Sequence, residues 1–304
     1  MKRITRARPL LGTFVEIWAE DESTERAEAA IRGAFEEIAR VQSLLSYHDP
    51  ESQLSRINRA AVGESVRVDA EVFRLFQTID RLYRESGGLF DVTVAGVLDR
   101  IGYRSDVADL PEAERYGSWN GVELAAPNTL IVHAPVRIDL SGIAKGYAVD
   151  SAFAILEERG IESFCVNAGG DLRIRSASAQ SVAIRHPAAP AAMGEIISVT
   201  EGAAATSAGY YSLRRDERGG TITPLIHPGS GKTASPEVSV TVLAPTCTMA
   251  DALTKVVHAD GDASAKLLAA FGAEALILSV SEQRGASLLE RRRIPETAGA
   301  GAKL

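Results

Sequence analysis

Residues 138–147 read Ile-Asp-Leu-Ser-Gly-Ile-Ala-Lys-Gly-Tyr, and residues 166–171 read Val-Asn-Ala-Gly-Gly-Asp. The first run predicts a strand that enters a glycine-punctuated turn and continues as a helix from Lys145 to Arg159, stopped by Gly160. It sets the Asp139 carboxylate and the Lys145 ammonium at the mouth of that turn. The second run sets the Gly169-Gly170 pair between Asn167 and Asp171, where backbone without side chains lets a ligand approach closely. Together the two runs read as a nucleotide or flavin site.

Outward from this centre the pattern is mixed. Before it, Gly12 to Trp18 reads as a strand. Asp21 to Leu45 reads as an amphipathic helix, with Ile31, Phe35, Ile38, Val41 and Leu45 at helical spacing. Leu54 to Asn58 reads as part of a turn-rich link. Asp69 to Ser86 reads as a second amphipathic helix with Val72, Phe76, Ile79 and Tyr83 on one face, ended by Gly87-Gly88. Short strands are expected at 122–125, 129–133, 136–140, 164–167, 181–185, 196–200, 221–226, 238–243 and 275–280. Helices are expected at 248–258 and 263–271. The order is not a regular strand–helix alternation, which argues against a doubly wound sheet and for an α+β fold with mixed or antiparallel sheets packed by helices. Residues 1–283 are expected to form one unit of two intimate lobes, and 284–304 a peripheral or loose tail.

Composition bounds the function. The chain has 304 residues, is 45% hydrophobic and carries a formal charge of -7. That length allows a sizeable core, and the negative balance argues against nonspecific nucleic-acid binding. No apolar run approaches the ~20 residues that span a bilayer, so no membrane insertion is expected. The basic start, Met1 to Pro9, is followed by no apolar stretch or cleavage site, and a cytoplasmic location is the expectation. The two cysteines, Cys165 and Cys247, sit in apolar, strand-like surroundings and read as buried free thiols, with a disulfide as the second reading. The run His227-Pro-Gly-Ser-Gly-Lys-Thr233 ends like a phosphate-binding loop, but Ile226 stands where that motif needs glycine, and Pro236 and a strand follow where it needs a helix. It reads as a turn between strands.

Several separated segments resemble, in order, the motifs of the ApbE family, the FAD:protein FMN transferases. Arg8-Pro-Leu-Leu-Gly-Thr13 resembles an element built on Met-Gly-Thr, with Leu11 at the methionine. Ser46 to Asn58, Gly88 to Val94, Asp139 to Tyr147, Asn167 to Asp171 and Thr241 to Leu253 resemble the rest. The resemblance implies an ApbE-like (T-fold-like) architecture with a ligand cleft between two lobes. It implies an enzyme that moves FMN from FAD to a threonine or serine hydroxyl of an acceptor flavoprotein and releases AMP with the help of Mg²⁺. Some members instead hydrolyse FAD to FMN and AMP. By the same resemblance Leu11, His48, Phe90, Asp91, Asp139, Lys145, Asn167, Gly169, Gly170, Asp171 and Leu225 would line the flavin nucleotide. The Gly142 carbonyl and the Asp251 carboxylate would hold the metal, and Lys145 would offer a point charge to phosphate. The expected assembly is a monomer or homodimer.

Plainer roles stay open for the same residues. Asp139 and Lys145 also read as a strand-end ion pair, Asp91 as a turn cap, Gly169-Gly170 as a tight connection, and Asp251 as an early-turn helix carboxylate. The chain also departs from the family pattern. Four residues after Asp251, where the family usually has threonine as a second metal ligand, stands Lys255. Its ammonium can pair with Asp251 and take the metal's place, or Thr254 can reach the metal instead. The family histidine expected to serve as base falls on Pro224, which cannot accept a proton, and His227 is the nearest replacement. The family aspartate after Ser-Gly falls on Gly209. An FAD-binding protein or FAD hydrolase without transferase activity is therefore the alternative expectation.

Overall fold

The structure is a computed structural model and describes residues 1–103, 118–215, 219–283 and 286–295. The chain begins with a hairpin of β1 (Lys2–Leu10) and β2 (Thr13–Asp21). Its turn places Leu11 and Gly12 at φ 55° and 69°. For leucine this left-handed backbone costs on the order of 1 kcal/mol. A hydrogen bond from the Leu11 N–H to Gln42 Oε1, 2.7 Å, helps hold it. α1 (Thr24–Leu45) follows and buries the five apolar residues that its periodicity picked out. The Ser23 hydroxyl caps its start by accepting from the Arg26 N–H.

The segment expected as a link contains α2 (Gln53–Asn58), started by Ser52, whose hydroxyl accepts from the Ser55 N–H at 3.0 Å. β3 (Ser65–Arg67), α3 (Ala70–Glu85), α4 (Ala95–Arg100), β4 (Val122–Ala125) and β5 (Thr129–Val132) come next. β3, β5 and β4 pair as a small antiparallel sheet. Beside it Phe76 of α3 stacks on Trp119 at 5.9 Å, and the Trp119 indole donates to Asp80.

Then come α5 (Ala144–Glu158), β6 (Ser163–Ala168), the long hairpin of β7 (Asp171–His186) and β8 (Ala189–Ala208), and the short β9 (Arg214–Arg215) and β10 (Thr221–Ile222). β11 (Val238–Ala244), α6 (Cys247–Asp260), α7 (Ala265–Ala270), β12 (Glu274–Gln283) and β13 (Ala286–Ile294) complete the described chain. Eight strands form one antiparallel sheet in the order β1-β2-β6-β7-β8-β11-β12-β13. The fold is α+β, as expected, with helices packed against antiparallel sheets.

Strand alternation divides the interior. Phe164, Val166 and Ala168 enter the main core under α1, α5 and α6, while Cys165 joins a smaller apolar cluster with Leu172, Ile174, Ile197 and Leu278. The main core also takes in Val72, Phe76 and Leu130 from the α3 region, so the two parts of the molecule share one interior. Both cysteines are buried and free, Cys165 in β6 and Cys247 at the first turn of α6. Among the described residues no helix is long and apolar enough to cross a membrane.

Three expectations are corrected. Residues 136–140 form no strand. Asn58 takes the partner's place, its Oδ1 accepting from the Ile138 N–H and its Nδ2 donating to the Ile138 carbonyl, both at 2.8 Å. The strand expected over 221–226 is confined to β10 and an isolated bridge between Ile226 and Thr233. The end of the chain is not loose over Ala286–Ile294, where β13 pairs with β12 and buries Ile294.

Candidate functional site

The site is built on the contact between α5 and α6. At Gly146 a Cβ atom would stand 2.3 Å from the Cys247 carbonyl oxygen, so only glycine allows the helices this close. The approach lets the Gly146 N–H donate to Asp251 Oδ2 at 3.1 Å. It also lets Asp150 of α5 cap α6, accepting from the N–H groups of Cys247 and Thr248 at 2.9 and 2.8 Å. Before α5, Asp139 Oδ1 accepts from the Ser141 N–H at 2.8 Å and shapes the turn that carries Gly142. Lys145, on the first turn of α5, reaches Asp171, the first residue of β7.

The turn into β7 is tight. Gly169 and Gly170 have φ 63° and 106°, and Asn167 Oδ1 closes the turn by accepting from the Gly170 N–H. Gly169 lies against Thr13, whose Oγ1 would be 2.5 Å from an added Cβ. Asp91 Oδ1 accepts from the N–H and hydroxyl of Thr93 at 2.7 and 2.6 Å. The turn-cap role is therefore real for Asp91, and the tight-connection role for the glycine pair.

Four charges meet below this surface. Lys145 pairs with Asp171, and Lys255 pairs with Asp251. Asp171 and Asp251 are 3% and 1% exposed, so neither is left unpaired in a medium that penalises isolated charge. Burial, with the Asp251 charge, pushes the Asp171 carboxyl above its ordinary value against the pull of both lysines. Asp251 is held below its ordinary value: burial opposes this, but the Lys255 and Lys145 ammoniums outweigh it. Lys145 is likewise kept protonated by Asp171 and Asp251 in spite of burial. Asp91 is pushed up by burial.

Two cavities open onto this cluster. One, about 440 Å³, is lined by Phe90, Asp91, Asp139, Gly142, Lys145, Gly169 and Leu225 among others. The second, about 370 Å³, holds Leu11 and His48. Both share Asp139, Ser141 and Lys145, which form their junction. Asn167 and Gly170 line a different cavity, with Arg3 and Trp18, that touches the first at Gly169 and Thr206. Asp171 lines none of these three cavities and meets the first two through its partner Lys145.

The departures have structural consequences. Pro224 stands in the wall of the 440 Å³ cavity. His227 does not line it and faces a separate pocket of about 210 Å³ with Lys255 and His258. Its neighbours Leu225, Ile226 and Pro228 do line the larger cavity. At Gly209 an added Cβ would meet Thr223 Cγ2 at 2.8 Å and Pro236 Cα at 3.0 Å, so the missing aspartate has no room.

The residues offered for a metal do not fit one. Asp251 gives one carboxylate oxygen to the Lys255 ammonium and the other to the Gly146 N–H. The Thr254 hydroxyl donates to the Asp251 carbonyl at 2.6 Å and lies 2.7 Å from Ser207 Oγ. Among the described residues no group of three or more His, Cys, Asp or Glu side chains is arranged to hold an ion.

Sequence reasoning overlooked Ser207 as a partner of Lys255 and Asp150 as the cap of α6. Ser207 carried a signal, since it is the serine two residues before Gly209, in the segment where the family aspartate is missing. Asp150 carried none, because its partners lie 97 and 98 residues away.

The sequence pattern of the ApbE family matches residues 11–277. An FAD:protein FMN transferase of Vibrio cholerae is 30% identical over 274 residues, covering 85% of this chain and 75% of its own. Another, from Treponema pallidum, is 26% identical, with 97% and 90% covered. The crystal structure of an ApbE protein from Thermotoga maritima superposes with a TM-score of 0.81 at 27% identity, over 95% of this chain and 97% of that one. The flavin transferase ApbE of Vibrio cholerae has the same fold, with a TM-score of 0.77 at 24% identity over 97% of each chain.

Proposed function

This chain belongs to the ApbE family, and from that premise we propose that it binds FAD and transfers the FMN half to a threonine or serine hydroxyl of an acceptor protein, releasing AMP. The observation that carries the reading is the junction at Lys145. Two cavities meet at one ammonium, anchored from below by the buried Asp171, at the N-terminal end of α5. A dinucleotide has this form: two bulky halves joined at a diphosphate, with the negative charge in the middle. An ammonium at the first turn of a helix suits that charge.

In the proposed reaction the acceptor oxygen attacks the phosphorus of the FMN half. The bond from that phosphorus to the bridging oxygen breaks, and AMP leaves with the bridging oxygen. Charge builds on the phosphoryl oxygens during the step, and the fixed ammonium of Lys145 stabilises it without reorganising. The hydroxyl proton needs an acceptor, and Pro224 is not one. His227 would have to swing out of its own pocket to serve. This last observation favours a second reading, in which the protein binds FAD, or hydrolyses it with water as the nucleophile, and does not modify a protein.

The test mixes purified protein, FAD and a peptide carrying an acceptor threonine, with and without Mg²⁺, and reads intact peptide mass and free AMP. A peptide heavier by one FMN, with equimolar AMP, is the expected result. AMP and FMN with an unmodified peptide would establish the hydrolase. Bound FAD with no AMP would overturn both reactions and leave binding alone.

A further inference from the structure

We propose that the Lys255 ammonium is the resident cation of this site, holding the place between Gly142 and Asp251 that the family pattern gives to a divalent metal. The groove then takes a dinucleotide's diphosphate without a metal. The second half of this statement rests on the FAD reading above, and the first half does not.

The placement is built from several directions. The Lys255 ammonium donates to Asp251 Oδ1, to the Asp251 carbonyl at 3.0 Å and to Ser207 Oγ at 3.0 Å. Those three bonds use the three donors of an ammonium. The lysine stem lies against the Gly142 backbone, its Cε 3.4 Å from where a Cβ there would stand. Gly142 is thus the neighbour of the ammonium's own side chain, as it was to be the neighbour of the metal. Thr254, the other conceivable ligand, is fully buried with its hydroxyl bonded to Asp251 and Ser207.

With lysine in place, each of the two deeply buried carboxylates has its own ammonium, Lys145 for Asp171 and Lys255 for Asp251. A threonine at 255, as in the family pattern, would leave one carboxylate without a counter-charge, and a cation from solution would then be drawn in. A divalent ion entering the present site would have to displace a fixed positive charge from the same carboxylate oxygen, at a few ångströms and away from water, where repulsion is strong. The two cations also differ in chemistry. A metal polarises a bound oxygen as a Lewis acid, whereas an ammonium supplies only a point charge and hydrogen bonds.

Two measurements test this. Mn²⁺ is titrated into flavin-free wild type and into Lys255→Thr, and the free ion is read by electron paramagnetic resonance. Wild type is expected to bind none, and Lys255→Thr one per chain. FAD affinity is then read from flavin fluorescence in EDTA and in Mg²⁺. Wild type should bind equally in both to within about twofold, while Lys255→Thr should bind about tenfold more weakly in EDTA and recover in Mg²⁺. Stoichiometric Mn²⁺ on wild type, or FAD binding by wild type only with Mg²⁺, would overturn the proposal. A folded Lys255→Thr that takes up no Mn²⁺ would overturn it too. If that variant does not fold, the wild-type arms decide alone. Mn²⁺ results as expected with no FAD bound under any condition would sink the FAD reading and leave the placement of Lys255 standing.

Discussion

Residue by residue, the site was legible where chemistry sat beside backbone punctuation. Asp139 and Lys145 flank Gly142, and Asp171 follows Gly169-Gly170, so glycines marked the carboxylates and the ammonium that the fold brings together. The Lys255–Asp251 pair was legible because four residues is one helical turn. His227 was not placed by its neighbours in sequence, since it sits at a turn closed by its own backbone bonds to Ser230, Gly231 and Lys232, where strand alternation does not apply. Lys145→Met, which keeps the stem and removes the charge, should weaken FAD binding by tenfold or more in a fluorescence titration. His258 offers a separate test. Burial, with the Lys255 charge adding to it, pushes the imidazole down to about 4, although its bond to the Ser207 carbonyl works the other way. The folded state therefore stays neutral while the unfolded chain takes up a proton near pH 6.5. Stability is fully present above that value and is lost as pH falls towards 4. From pH 7.5 to 5 this group alone removes about 2 kcal/mol. In urea melts at the two values, His258→Asn should show a correspondingly smaller drop than wild type.

At the level of elements, helices with strong periodicity were read well and short pieces were not. α1 and α3 declared their buried faces over four or more turns. α2 is six residues long and was hidden because its start depends on a single hydroxyl, that of Ser52. The stretch 136–140 has the composition of a strand, but an asparagine side chain replaces the neighbouring strand, and no local pattern announces that. The pairing of α5 with α6 is a relation between elements and invites its own prediction. Gly146→Ala forces the helices apart against backbone at 2.3 Å and should cost about 3 kcal/mol in a denaturant melt. Asp150→Ala, which strips the cap from α6, should cost about 1–2 kcal/mol by the same measurement and leave the close approach intact.

Taken whole, the molecule was predicted more fully in fold class than in strand count. β1 was read only as a basic stretch, because Lys2, Arg3, Arg6 and Arg8 mask the pairing of an edge strand. Only the distal parts of β7 and β8 were foreseen. Both strands change register along their pairing, and alternation fails where the ladder is irregular. The departures also belong to this scale, because they lie on separate elements that converge. Pro224→His with Lys255→Thr should convert a metal-indifferent site into one whose AMP release rises with Mg²⁺, checked by AMP yield in Mg²⁺ and in EDTA. Adding Gly209→Asp should lower the melting temperature, since Thr223 and Pro236 already fill that space. The two cysteines complete the picture. Burial pushes the Cys165 thiol up to about 12 and Cys247 well above its ordinary value, and no disulfide joins them. With almost no thiolate to react at neutral pH, the native fold is indifferent to the redox poise of its surroundings, and oxidants or alkylating agents find their first target only after the chain has opened.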